Sequence, residues 1–209
     1  MKISAEKGKQ NKIHIHCDGE YRFTVDAEYW FSSPYFGKDS IDDEQELAAF
    51  TEAVGSRCAF IAGLRLLSYH DSSKKQLSQK LIQKGHKQAY VSNALDRLEE
   101  LSYVNDERFA QNLAKELSER KGMSNRGIKS ELFRHGIDSE IAEIVIEGLD
   151  NDPILRIIDI INKKYFRNLS DEKGVRKTVA ALQRLGYSWS DIKSALRQIE
   201  IDTEVNEDV

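Results

Sequence analysis

Lysine and arginine are the residues of this chain whose spacing most readily supports chemistry, and that chemistry is contact with phosphate or carboxylate. Lys80, Lys84 and Lys87 form one group, Arg126, Lys129 and Arg134 a second, and Lys163, Lys164, Arg167, Arg176, Lys177 and Arg184 a third. Residues three or four apart share a helix face, so each group could present several cations together. Nucleic-acid phosphates need little more than such placed charges. Catalysis asks for more, and the sequence does not supply it. No glycine-rich phosphate loop and no nucleophile, base and orienter set emerges. His14 and His16 would point to one side of a strand, which permits a metal pair. No third ligand lies nearby, so they read as surface histidines, and neither metal nor cofactor is expected. Cys17 and Cys58 lie in different regions and suggest no disulfide framework.

The net charge of −4 hides an uneven distribution. Residues 1–56 carry six basic and eleven acidic side chains, whereas residues 57–150 carry fifteen and fourteen. Between residues 153 and 199 there are ten bases against four acids, and the last ten residues hold five acids and no base. A basic body with an acidic tail at 201–209 is expected. A wholly nucleic-acid-binding chain would be more uniformly basic.

The element that must position these side chains is a repeat. Residues 74–101 read as a helix, a glycine stop at Gly85 and a second amphipathic helix. Val91, Ala94, Leu95 and Leu98 fall on one face of that second helix. The unit returns around Gly136, with Ala142, Val145, Ile146 and Leu149, and again around Gly186, with Ile192, Ala195, Leu196 and Ile199. The preceding helices match through Leu77 and Leu81, Ile128 and Leu132, then Thr178 and Leu182. Each glycine follows a helix end, where the chain enters the left-handed region. Ser188 with Asp191 suggests an approximate capping box, Asp138 a simple cap, and the first copy lacks an equivalent before Lys87.

Opening helices are expected at 56–68, 106–120 and 153–168, with Pro153 in the first turn of the last and a seam at residues 151–153. The fold class is therefore all-α: three tandem three-helix repeats, nine helices, forming an elongated curved body on the order of 60 Å long. Expected boundaries are 1–55 for an N-terminal extension, then 56–102, 103–150 and 151–200 for the repeats. In the extension, the first dozen residues read as mobile. A β-hairpin follows, with Ile13, Ile15 and Cys17 alternating inward, a turn at Asp18-Gly19, and Tyr21, Phe23 and Val25 continuing beyond it. An acidic helix is expected at residues 42–53. No apolar run long enough to span a bilayer and no signal peptide is read, which makes cytoplasm the expected location.

Residues 103–110, Tyr103-Val104-Asn105-Asp106-Glu107-Arg108-Phe109-Ala110, form the most distinctive local motif. Its structural reading is a cap at Asn105 or Asp106 with Val104 and Phe109 packed about the helix start. Together with Leu66-Leu67-Ser68-Tyr69, Leu77-Ser78-Gln79-Lys80-Leu81, Lys84-Gly85, Lys121-Gly122, Ile128, Glu131-Leu132 and Gly136-Ile137, it resembles the RecX family, bacterial modulators of the RecA recombinase. The resemblance covers residues 57–150 well and the third repeat more weakly. Two departures stand out: His70-Asp71-Ser72-Ser73 where the family has basic residues around a proline, and Gly127 after Arg126 where a second arginine is common. The resemblance implies three tandem repeats. It also implies a monomeric, non-enzymatic protein that lies in the groove of the RecA filament and inhibits ATP hydrolysis and strand exchange, with single-stranded DNA contacted weakly or indirectly. The alternative is a helix-turn-helix-like nucleic-acid binder independent of the recombinase.

Overall fold

A computed structural model of the chain describes residues 1–149 and 152–207, the side chains of residues 200–207 excepted. Two compact units divide between Asn105 and Asp106. The first begins with an antiparallel sheet of three strands in the order β1-β2-β3: β1 (Ile3–Lys7), β2 (Lys12–Cys17) and β3 (Glu20–Asp26). A short α1 (Ala27–Ser32) follows, then α2 (Glu44–Leu67), α3 (Lys74–Gln83) and α4 (Gln88–Glu100).

The hairpin expectation is thus corrected to a three-stranded sheet. Strand β1 escapes a periodicity reading because Ile3 is its only buried residue. It is held instead by pairing with β2, by Ile3 N–H to the Asp39 carbonyl (3.0 Å) and by the terminal amine of Met1 on the Ile41 carbonyl (2.8 Å). The Asp18-Gly19 turn forms as expected, with both residues at positive φ. Beyond it a bulge opposite Ile15 and His16 inserts one extra residue, which shifts the phase of β3. Phe23 and Val25 stay inward, but Tyr21 turns out to meet the rings of His14 and His16.

The inner face of the sheet packs Ile15, Val25, Trp30, Tyr35 and Ile41 around Phe50 of α2, whose ring stacks on Tyr35 at 3.9 Å between centroids. The two helices expected at 42–53 and 56–68 are one helix, since α2 runs unbroken through Gly55. That glycine is a packing site, because a Cβ there would collide with the Tyr90 ring. Read whole, α2 has the length and composition of a membrane-crossing helix, which the division at Gly55 concealed. In the structure it contributes side chains to two hydrophobic clusters. Phe50 and Val54 face the sheet cluster, while Phe60 and Leu64 pack on Leu77, Leu81, Val91, Leu95 and Leu98.

The second unit holds α5 (Asp106–Glu119), α6 (Asn125–Arg134), α7 (Ser139–Glu147), α8 (Pro153–Ile160), α9 (Glu172–Arg184) and α10 (Trp189–Glu207). Helix α8 does not continue to residue 168 as expected. A π turn (Ile161–Tyr165) and a 3-10 turn (Phe166–Ser170) replace its second half. Asp152 caps α8 by accepting from Ile154 N–H (2.7 Å), with Pro153 in the first turn. Asn151 of the expected seam lies outside the described residues. The acidic stretch 201–209 starts within α10, but its side chains likewise lie outside them. Ten α-helices occur among the described residues: α1 lies in the extension, and α2–α10 are nine, the number expected for the three repeats.

The repeat is visible in backbone and core alike. Gly85, Gly136 and Gly186 have φ of +90°, +83° and +93°. Each donates to the carbonyl three residues back, and the next N–H reaches the carbonyl of Leu81, Leu132 or Leu182, the double bond of a Schellman stop. Those three leucines and their partners Leu77, Ile128 and Thr178 have no exposed surface. Thr178 remains tolerable there because its hydroxyl donates to the Gly174 carbonyl (3.0 Å). In the second helices Leu95 is buried, while Ile146 and Leu196 are partly buried against their clusters.

Candidate functional site

The twelve candidate cations divide by what their side chains touch. Lys129 is paired with Glu143 (3.0 Å), Arg134 with Glu131, Lys163 with Asp159 (2.8 Å) and Arg176 with Glu172 (2.5 Å). Hydrogen bonding to Lys129 draws the Glu143 carboxyl below its ordinary range. Lys80 Nζ lies 2.6 Å from His70 Nε2 and donates to Ser72 Oγ (3.1 Å). Lys87 sits over the Tyr90 ring, and Arg184 donates to the Ala180 carbonyl (3.3 Å). Lys84, Arg126, Lys164, Arg167 and Lys177 are exposed without a carboxylate partner among the described residues.

The departures from the expected motifs have local causes. Ser73 opens α3 with a true capping box: it accepts from Gln76 N–H (3.2 Å), and Gln76 accepts from Ser73 N–H (3.4 Å). The capping box is therefore the device that starts the helix. Gly127 lies against α9's end, and a Cβ there would fall 2.5 Å from the Leu185 carbonyl oxygen. Ser124 N–H also donates to that oxygen (2.9 Å). No side chain, arginine included, fits at that approach.

In the 103–110 motif, Val104 is buried and Phe109 packs in the second unit's core, while Tyr103 is half exposed. Asp106 is the first residue of α5.

One cleft in the second unit gathers cations that the grouping by sequence did not. Its volume is about 350 Å³, and Arg120, Arg156, Lys163 and Lys164 line it together with Glu119 and Asp159. Arg156 is fixed by donating to Ser118 Oγ (2.9 Å) and the Ser118 carbonyl (2.6 Å). Close by, Tyr187 donates to the Gly122 carbonyl (3.1 Å), and burial pushes its phenol above the usual range. Arg120 and Arg156 were missed because they are separated in sequence by a whole helical unit. Their only shared signal is charge. Among the described residues no group of three or more His, Cys, Asp or Glu side chains could hold a metal ion.

Models of the RecX family match the chain twice: the first three-helix domain over residues 59–98 and the second over residues 105–146. The regulatory protein RecX of Caldanaerobacter subterraneus subsp. tengcongensis is 29% identical over 191 residues, covering 91% of this chain and 95% of the relative. That of Bacillus velezensis is 26% identical over 206 residues, covering 97% and 78%. A crystal structure of regulatory protein RecX superposes with a TM-score of 0.71 at 20% identity, over 94% of this chain and 98% of the other. The crystal structure of RecX from Lactobacillus salivarius gives 0.61 at 23% identity, over 71% and 99%. Both likenesses concern the fold.

Proposed function

The chain belongs to the RecX family, and on that premise we propose that it binds the RecA nucleoprotein filament and restrains its ATP hydrolysis and strand exchange, catalysing nothing itself. It would act in the cytoplasm, as a monomer, in the modulation of recombination, DNA repair and the SOS response. The observation that supports this most is the order of the matched units, a first and a second three-helix domain placed on α2–α4 and on α5–α7. Repeated units present repeated surfaces, which suits a partner that itself repeats. The filament-facing residues in this reading are the unpaired cations Lys84, Arg126, Lys164, Arg167 and Lys177, with Lys87 beside them and the exposed Tyr103 as an apolar contact. Lys80, Lys129, Arg134, Lys163, Arg176 and Arg184 contribute less, since each already has a partner within the chain.

Binding to bare single-stranded DNA, compared with DNA coated by recombinase and a non-hydrolysable nucleotide, tests this reading. A clear preference for the coated strand is expected, with a salt-tolerant part due to direct protein contact. Equal affinity for the two would favour the second reading, a nucleic-acid binder without recombinase dependence. Its binding would fall steeply with salt as counterions are released. The basic cleft of the second unit is the observation that keeps this second reading in view.

A further inference from the structure

The sheet of the first unit has an edge that the chain closes only in part. Strand β1 is outermost in the order β1-β2-β3. The even-numbered residues along it bond to β2 and its turn: the Lys2 carbonyl accepts from Asp18 N–H (2.8 Å), and Gly8 N–H donates to the Lys12 carbonyl (2.8 Å). The odd-numbered residues therefore turn their main-chain groups outward. At Ile3 that side is closed, since its N–H donates to the Asp39 carbonyl (3.0 Å) and Lys2 bridges to Ser40. Ala5 and Lys7 have no such cover among the described residues.

An apolar floor lies beside this open stretch. A cavity of about 320 Å³ is lined in part by Ala5, Ile13, Trp30 and Phe31, with Lys7 and Lys12. Phe31 is 60% exposed there. Residues 1–12 carry four lysines and one acid, a basic island in an extension that is otherwise acidic. Lys7, Lys9 and Lys12 are exposed and form no ion pair among the described residues. An unpaired edge with such a floor and such lysines fits an extended segment that is apolar on one face and acidic on the other.

The chain itself contains one such segment. Ile199-Glu200-Ile201-Asp202-Thr203-Glu204-Val205-Asn206 has the strict alternation of a strand, and the last ten residues hold five acids and no base. As the end of α10 this stretch is a poor choice of residues: it is rich in β-branched types, and its last turn has no base where cations favour a helix. Ile199 is buried in the second unit's core, so the residues free to leave it are those beyond. We propose that the C-terminal segment of one copy adds as a fourth strand to the β1 edge of a second copy, with Ile201, Thr203 and Val205 over the apolar floor and the acids near the lysines. So short a strand buries less than the roughly 1,200 Å² of a lasting interface, and the dilute protein stays a monomer. Copies aligned along a repeating partner would meet at far higher local concentration. That use rests on the filament reading; the docking itself does not.

The test uses a fluorescent peptide of residues 198–209 and the full-length protein, without recombinase, each variant being checked by circular dichroism. Anisotropy should rise on binding, and hydrogen exchange should show new protection of the Ala5 and Lys7 amides. Ala5→Pro removes an outward N–H at an edge position that tolerates proline. It should weaken peptide binding by at least about fivefold, the loss expected for one hydrogen bond. Lys7→Glu combined with Lys12→Glu should weaken it most at low salt. A peptide of the same composition, with its apolar residues grouped at one end, should bind poorly. The proposal is overturned if the peptide does not bind, if the rearranged peptide binds equally, if Ala5→Pro binds normally, or if the Ala5 and Lys7 amides exchange unchanged at saturating peptide. Full protection of those amides in the dilute monomer would overturn it as well, because the chain's own segment would then fill the edge.

Discussion

Gly85 and Gly186 adopt the same left-handed backbone but have different surroundings. A Cβ at Gly85 would meet nothing within 4 Å, whereas at Gly186 it would lie 2.6 Å from Ser124 Oγ and 2.7 Å from Gly127 Cα. Gly85→Ala should therefore cost only the left-handed strain, about 1–2 kcal/mol. Gly186→Ala should cost distinctly more, because the ends of α6 and α9 must also move apart. Urea unfolding of the two variants makes the comparison, and equal losses would contradict the close approach. The stops at these glycines were legible because each ends a patterned helix. Gly127 was not, since close approach of two backbones leaves no periodic trace. Asp26 offers a pH test at the same scale. Burial pushes its carboxyl up, but hydrogen bonds from Arg57 and from the Tyr29 amide outweigh this and bring it below its ordinary 3.8. With the folded-state value below the unfolded one, the stabilisation is full above pH 3.8 and is lost as pH falls through the folded value. Asp26→Asn should flatten the acid limb of stability against pH, and an unchanged limb would show that the Arg57 pair contributes nothing.

Helix α2 serves two cores, and that is why the N-terminal extension is more than an appendage. Phe50 is wholly buried, stacked on Tyr35 and edge-on to Phe23. Phe50→Ala should destabilise the first unit by about 3–5 kcal/mol, read as a shift in the urea midpoint. A loss below about 1 kcal/mol would mean the sheet is not anchored there. Removing residues 1–40 should unprotect the amides of α2's first half in hydrogen exchange while α4 stays protected. Full protection of α2 without the sheet would contradict its shared role. The elements read well from sequence were those with repeated apolar spacing, namely α3, α4, α6, α7 and α9. Those missed were β1, with one buried side chain, the join through Gly55, whose glycine answers to Tyr90, and the π turn, where helical periodicity changes without a breaker.

At the scale of the molecule, the three-helix repeat was written in side-chain periodicity and could be read directly. The candidate interface was legible only as charge. Lys129 meets Glu143 only through the packing of two helices, which sequence does not show, whereas Lys163 with Asp159 is an i,i+4 pair whose spacing sequence does show. The cleft joining Arg120 to Lys164 needed the fold to bring α5 beside α8. With that sorting, Lys164→Glu combined with Lys177→Glu should impair filament binding more than Lys163→Glu combined with Arg176→Glu. Co-sedimentation with recombinase filaments at low salt would show the order, and the reverse order would contradict the assignment of available charge. The central claim is regulation of a recombinase filament, and its most direct test is ATP hydrolysis by RecA on single-stranded DNA, titrated with this protein. We expect the rate to fall progressively to a plateau while the protein alone hydrolyses nothing; a rate that stays constant through saturating protein would contradict the claim.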